Sequence, residues 1–226
     1  GANKTAVKII GDKTNLYCQA YFSYDSKKSG GSTVSHLRFG NKPIKSPYLV
    51  YESDYTACHN KSFIYNINIL KGLKKNGTFV LNCPWRENEL DEHLPASMRR
   101  YIAENNIQLY IVDAISISQK VGLGSRINMV MQAIFFKLAN IIPVNQAIQY
   151  LKDSVEYAYG KKGENIVNAN KAAIDAGANA AHKVTIPESW KNAKDPDMPK
   201  KEFPDFINRI EKPMARHEGD ELPVSA

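Results

Sequence analysis

The run Asp54-Tyr55-Thr56-Ala57-Cys58-His59-Asn60-Lys61-Ser62-Phe63-Ile64-Tyr65-Asn66-Ile67-Asn68-Ile69-Leu70-Lys71-Gly72-Leu73-Lys74-Lys75-Asn76-Gly77-Thr78-Phe79-Val80-Leu81-Asn82 decides the fold. Its ends read as strands: Asp54–Cys58, and the apolar Thr78–Asn82. Asn60 is a candidate N-cap, and Ile64, Ile67, Leu70 and Leu73 keep helical spacing, which predicts a helix from Asn60 through Leu73. Asn76-Gly77 then turns the chain. Strand, helix, strand at this spacing is a βαβ unit, because parallel neighbours need a crossover of a dozen residues or more.

The alternation continues downstream. Asn88-Glu89-Leu90-Asp91-Glu92 reads as an acid-rich helix start, and the segment to Asn105 is helical with an interruption at Pro95. Ile107–Asp113 is another buried strand. Gly122-Leu123-Gly124-Ser125 leads into a long, central helix with Ile127, Val130, Met131, Ile134, Phe135 and Leu138 on its apolar face. Val144–Tyr159 continues amphipathically, Gly160-Lys161-Lys162-Gly163 breaks it, and a further helix runs from about Glu164 to Ala181 with Ile166, Ala169, Ala173 and Ala176 as packing residues. Helices alternating with buried strands predict an α/β fold: a three-layer α/β/α domain with a mainly parallel or mixed sheet. From Pro187 the character changes. Six of the eleven prolines fall here, and the segment reads as an extended C-terminal tail, with one short helix at Phe203–Ile210, that adds little to the core.

Upstream of the deciding run, residues 2–12 read as a helix stopped by Gly11, Leu16–Tyr24 as an aromatic-rich strand, and Tyr48–Tyr51 as a short apolar strand. Between them lies Ser26-Lys27-Lys28-Ser29-Gly30-Gly31-Ser32-Thr33-Val34-Ser35-His36-Leu37-Arg38-Phe39-Gly40. Its second half is a strand, with Val34 inward and Leu37 and Phe39 on the parity opposite to His36 and Arg38. Its first half is a glycine loop. Gly30-Gly31 lets backbone N–H groups approach a ligand, and Lys27 and Lys28 bring positive charge, which suits a phosphate. A tight turn with solvated lysines fits the same residues.

The charge agrees with an anionic ligand near the N-terminus. The net charge is +7, and residues 1–50, with eight Lys/Arg and two Asp/Glu, carry nearly all of it. A sequence pI near 9.1 raises nucleic acid as a partner, but no nucleic-acid motif is present and a local cluster suits a small polyanion better. No run of eighteen apolar residues predicts a membrane span. Cys18, Cys58 and Cys83 form no C-x-x-C pair and read as buried free thiols rather than a disulfide, zinc or iron–sulfur framework. The start at Gly1 without an initiator Met, and the end at Val224-Ser225-Ala226, suggest a piece of a longer chain. Among single residues, Arg38 suits either a phosphate or a neighbouring segment. His36 and His59 read as structural, and Glu89, Asp91 and Glu92 fit a helix N-terminus rather than a catalytic pair. Gly122-x-Gly124 lacks the third glycine of a dinucleotide fingerprint, where Ile127 stands, which argues against a Rossmann-type oxidoreductase.

Several strings together resemble a known family. Ser-Lys-Lys-Ser-Gly-Gly at 26–31, Ser-His-Leu-Arg-Phe-Gly at 35–40, Lys42-Pro43-Ile44, Ser46-Pro47-Tyr48, Asp54–Asn60, Gly77–Asn82, Gly122–Met129, Tyr159–Gly163 and Gly219–Ala226 are similar to the third domain of the pyruvate:ferredoxin (flavodoxin) oxidoreductases. The resemblance runs essentially end to end. That domain corresponds to the gamma subunit of the multi-subunit 2-oxoacid:ferredoxin oxidoreductases. The resemblance implies a gamma-type α/β domain over 1–186 and a connector to the following domain over 187–226. It implies an enzyme that oxidatively decarboxylates pyruvate to acetyl-CoA and passes electrons to ferredoxin or flavodoxin. Thiamine diphosphate, Mg²⁺ and [4Fe-4S] clusters would then sit in other domains of the same polypeptide, in a cytoplasmic homodimer with no nucleic-acid or membrane partner. This chain alone would be catalytically silent, with no catalytic or metal-binding residue. Carried over residue by residue, the resemblance places coenzyme A against Gly1 and Ala2 at the first helix, Lys27 and Lys28 on the glycine loop, Asn128 at the start of the long helix, and Asn170. A purely structural domain of the same enzyme and a nucleotide-binding oxidoreductase domain are the alternatives.

Overall fold

The structure is a computed structural model and describes residues 2–24, 31–196, 203–216 and 218–224. In chain order the elements are α1 (Ala2–Lys13), β1 (Tyr17–Tyr24), β2 (Thr33–Gly40), β3 (Ser53–Cys58), β4 (Leu73–Asn82), α2 (Leu90–His93), α3 (Ala96–Glu104), β5 (Gln108–Val112), α4 (Ala114–Lys120), α5 (Asn128–Ala139), α6 (Val144–Tyr159), α7 (Glu164–Ala178), β6 (His182–Lys183) and α8 (Lys212–Ala215). They form two compact units, residues 1–52 with 113–181, and 53–112 with 182–226.

The second unit is built on a four-stranded sheet of order β3-β4-β5-β6. The first three strands are parallel and β6 is antiparallel, so the fold is α/β with a mixed sheet. Tyr55–Cys58 align with Thr78–Leu81, which is the parallel pair the sequence predicts. The connection between them is not the predicted helix. Asn60 does cap, its Oδ1 accepting from the Ser62 N–H at 3.1 Å, but it caps only a 3₁₀ stretch at Lys61–Tyr65. The chain then runs irregularly to Gly72, whose φ is 78°. Asn66 and Asn68 offer the backbone side-chain partners that compete with a helix. Ile64, Leu70 and Leu73 are buried all the same, so their spacing marks a core-facing side and not a helix.

Phe79, Leu81, Leu109 and Ile111 of the sheet pack with Leu90, Leu94, Met98 and Ile102 of the α2–α3 region into one core. Trp190 belongs to it and is 2% exposed. Its indole N–H donates to the Asp91 carboxylate, Arg100 donates to the Ala193 carbonyl, and the Ala96 N–H donates to Asp195 Oδ1 at 2.7 Å. The expectation that the chain beyond Pro187 adds little to the core therefore fails for residues 187–195. One indole buries about 150–250 Å², which outweighs the prolines and charges around it.

In the first unit, β1 and β2 form an antiparallel hairpin in the register Tyr17↔Gly40 to Tyr24↔Thr33. Phe39 meets Phe135 of α5 with ring centroids 6.1 Å apart. Val34 is exposed on the His36 and Arg38 face, not inward as its neighbours suggest. α1 continues through Gly11 to Lys13 and packs against β1, α5 and α6. α5 is buried on nearly every side, at Met129 to Ile134 and at Phe136, which makes it the centre of this unit. α7 meets it so closely that a Cβ at Gly177 would lie 2.8 Å from Val130 Cα and O. The buried line on α7 is Val167, Asn170, Ala173, Ile174 and Gly177, rotated from the predicted Ile166, Ala169, Ala173 and Ala176. Tyr48–Tyr51 is irregular rather than a strand, and α4 was not foreseen. Asp113 caps α4, Oδ1 accepting from the Ser116 N–H at 3.0 Å.

Candidate functional site

Of the candidate ligand residues, Ala2, Asn128 and Asn170 belong to the first unit. Gly1, Lys27 and Lys28 lie outside the described residues. Ala2 opens α1. The first fifty residues carry their positive charge partly on this helix, where exposed Lys4, Lys8 and Lys13 each stand over an aromatic ring: Phe22 at 5.4 Å, Tyr157 at 5.5 Å and Tyr150 at 5.9 Å. A ring face holds an ammonium while leaving it able to meet an anion. At Ser32 the hydroxyl is buried and has no hydrogen-bond partner among the described residues.

Asn128 is the first residue of α5 and is exposed. The preceding turn takes Gly122 to φ 82° and Gly124 to φ 61°, a left-handed path that costs a glycine little. Ile127 at the N-cap supplies no side-chain hydrogen bond to the first turn of α5. Asn170 is placed differently. It is 7% exposed, and its Nδ2 donates to the Ile166 carbonyl of its own helix at 2.7 Å. That contact uses one of the two amide hydrogens and leaves the second hydrogen and the oxygen for a ligand.

Arg38 makes its hydrogen bonds within the unit. It donates to Gln19 Oε1 at 2.9 Å and to the Leu49 carbonyl at 2.8 Å, and it stacks 4.9 Å from the Tyr48 ring centroid. His36 Nδ1 accepts from the Val50 N–H at 3.3 Å, and burial pushes its pKa down. These two side chains pin residues 48–50 across the hairpin, which explains why an apolar run reading as a strand has no ladder. Arg38 thus acts as a clasp rather than a phosphate hand.

In the second unit, His59 follows β3 and burial lowers its pKa. Its carbonyl accepts from the buried Asn82 Nδ2 at 2.9 Å. Burial pushes the Cys58 thiol up to about 12, which makes it a poor nucleophile. Glu89 accepts from the Arg86 N–H at 2.6 Å and Asp91 holds Trp190, so these carboxylates serve local structure. Among the described residues no three His, Cys, Asp or Glu side chains are grouped to hold a metal ion. Each unit has a cleft, one lined by Arg86, Asp91 and Trp190 and one by Lys137, Ile148 and Asn179, and neither is lined by Asn128 or Asn170.

Residues 1–180 match a family described as pyruvate ferredoxin/flavodoxin oxidoreductase, and residues 191–226 match one described only as a domain of unknown function. The pyruvate-flavodoxin oxidoreductase of Enterobacter agglomerans is 56% identical across the whole chain, and the pyruvate:ferredoxin oxidoreductase of Moorella thermoacetica is 51% identical. The chain spans 19% of the length of each. Among solved structures, the pyruvate oxidoreductase subunit PORC of Thermotoga maritima superposes with a TM-score of 0.63 at 15% identity, over 80% of this chain and 89% of that one. The gamma subunit of a keto/oxoacid ferredoxin oxidoreductase from Geobacter sulfurreducens gives 0.56 at 14%, over 80% and 90%. At such identities these two show a shared fold.

Proposed function

Since the chain belongs to the pyruvate ferredoxin/flavodoxin oxidoreductase family through residues 1–180, we propose that it is the gamma-type domain of an enzyme that oxidatively decarboxylates pyruvate. The enzyme releases CO₂, hands the acetyl group to coenzyme A and passes two electrons to ferredoxin or flavodoxin. The observation that carries this reading is similarity along the whole chain at above half identity to relatives that bear those names. Such an enzyme is a cytoplasmic homodimer in which the other domains of the polypeptide surround this one. Thiamine diphosphate with Mg²⁺ and [4Fe-4S] clusters supply its decarboxylation and electron transfer. The family resemblance assigns those groups to other domains of the polypeptide.

The part proposed for this chain is coenzyme A binding and cover of the active site. Coenzyme A presents a pyrophosphate and a 3′-phosphate. The first turn of α5 with Asn128, the start of α1 at Ala2, and in sequence Gly1, Lys27 and Lys28 suit those groups in charge and donor type. Asn170 contributes its amide oxygen or its second amide hydrogen. A structural reading is favoured at two positions, Asn170 and Arg38, whose side chains donate to their own unit. The complete polypeptide, purified anaerobically, tests the assignment: pyruvate- and coenzyme A-dependent reduction of ferredoxin or flavodoxin supports it, and its absence with loaded cofactors removes it.

A further inference from the structure

The turn Gly160–Lys162 follows α6 and carries two adjacent cations, Lys161 and Lys162, both exposed. Neither is ion-paired among the described residues. Lys162 stands 5.3 Å over the Tyr159 ring, which leaves its ammonium able to meet an anion. Glu164, the nearest acid in sequence, lies in the first turn of α7, where the helix dipole favours it.

The fold carries this turn to the start of the chain. α1 packs against α6. Lys13 meets Tyr150 and Lys8 meets Tyr157, so numbers rise along one helix as they fall along the other, and the two run antiparallel. From Lys8 back to Ala2 is about 9 Å of helix, and from Tyr157 on to Lys162 is about 7 Å. The end of α6 therefore lies level with the start of α1, and Lys161 and Lys162 join Lys4 there although most of the chain separates them in sequence.

We propose that Lys161 and Lys162 bind the 3′-phosphate of coenzyme A beside the start of α1. The proposal rests on the coenzyme A reading of this unit and adds two residues to it. Charge selects the group. A phosphate monoester carries close to two negative charges at neutral pH, whereas each phosphorus of the pyrophosphate carries a single one. Two neighbouring ammonium groups match the dianion, and as point charges they need no fixed fork geometry.

Calorimetric titration of the complete enzyme, loaded with its cofactors and without pyruvate, tests this with coenzyme A and 3′-dephospho-coenzyme A as probes. Lys161→Gln with Lys162→Gln should weaken coenzyme A binding about tenfold and leave the dephospho form within about twofold of wild type. Lys161→Arg with Lys162→Arg should keep most of the affinity, and added salt should shrink the wild-type preference for coenzyme A. Asn128→Ala addresses the underlying reading separately, since it should weaken both probes. Unchanged coenzyme A affinity in the glutamine variant overturns the proposal, and leaves the underlying reading standing if Asn128→Ala still weakens both probes. Equal weakening of both probes by the glutamine variant also overturns it. Wild type that binds neither probe removes the proposal and the coenzyme A reading together.

Discussion

Gly177→Ala should destabilise the protein although alanine is the better helix former. The change alone favours the helix by about 1 kcal/mol. The new methyl, however, would sit 2.8 Å from Val130 Cα and O and 3.2 Å from its carbonyl carbon. Carbon contacts are comfortable from about 3.5 Å, so α5 and α7 must part by roughly 0.7 Å. α5 cannot yield on its other sides, because Met129 to Ile134 and Phe136 are all buried. Overpacking of this kind costs about 1–3 kcal/mol, and a rigid central helix puts the cost at the upper end. The net loss is therefore about 1–2 kcal/mol, or a drop in Tm of roughly 2–8 °C for a chain of this size. Thermal unfolding by circular dichroism reads it. Gly160→Ala is the control, because nothing lies within 4 Å of its Cβ position and its φ is −53°. It should raise stability by about 0.4–1 kcal/mol. A Gly177→Ala protein that melts at or above wild type, with the control behaving as stated, refutes the close helix crossing.

Trp190→Ala should cost about 3–5 kcal/mol in urea unfolding, since it empties a buried site in the core; a loss below about 1 kcal/mol would return residues 187–195 to the role of a loose tail. Glu87 should shape the acid limb of stability. The His182 ring at 2.6 Å, then the Thr185 N–H at 2.7 Å, hold its carboxyl below the usual glutamate value. A depressed folded pKa stabilises the protein above the ordinary value and is lost as pH falls through the folded one. Unfolding midpoints of Glu87→Gln measured from pH 6 to pH 3 should fall less steeply than those of wild type, and identical slopes would show that the pair contributes nothing.

The sequence was most legible where burial and backbone demand coincide. Thr78–Asn82 and Ile107–Asp113 are apolar on both parities, and both are inner parallel strands. Val144–Tyr159, bounded by Pro143 and Gly160, is read to the residue because proline and glycine punctuate it. Asn60–Leu73 misled because every third or fourth side chain faces the core along an irregular path, which imitates a helix. Tyr48–Tyr51 misled because its backbone bonds go to Arg38 and His36 side chains, partners that no local pattern reveals. The buried role of Trp190 depends on Asp91, ninety-nine positions away, so only the fold brings them together. At the candidate site, the N-terminal charge and the Gly-x-Gly entry to α5 were visible, whereas the engagement of Asn170 and Arg38 was not.

Lys28 carries the coenzyme A reading most directly. A charge-assisted bond from its ammonium to a ligand phosphate contributes about 1.5–3 kcal/mol. In the complete enzyme, Lys28→Ala should raise the KM for coenzyme A by about ten- to a hundredfold. Pyruvate decarboxylation measured in the absence of coenzyme A should stay within about twofold of wild type, since it does not use this residue. An unchanged KM for coenzyme A would contradict the account, and so would a coenzyme A-free half-reaction that fails in the variant, which would make the lysine an assembly contact.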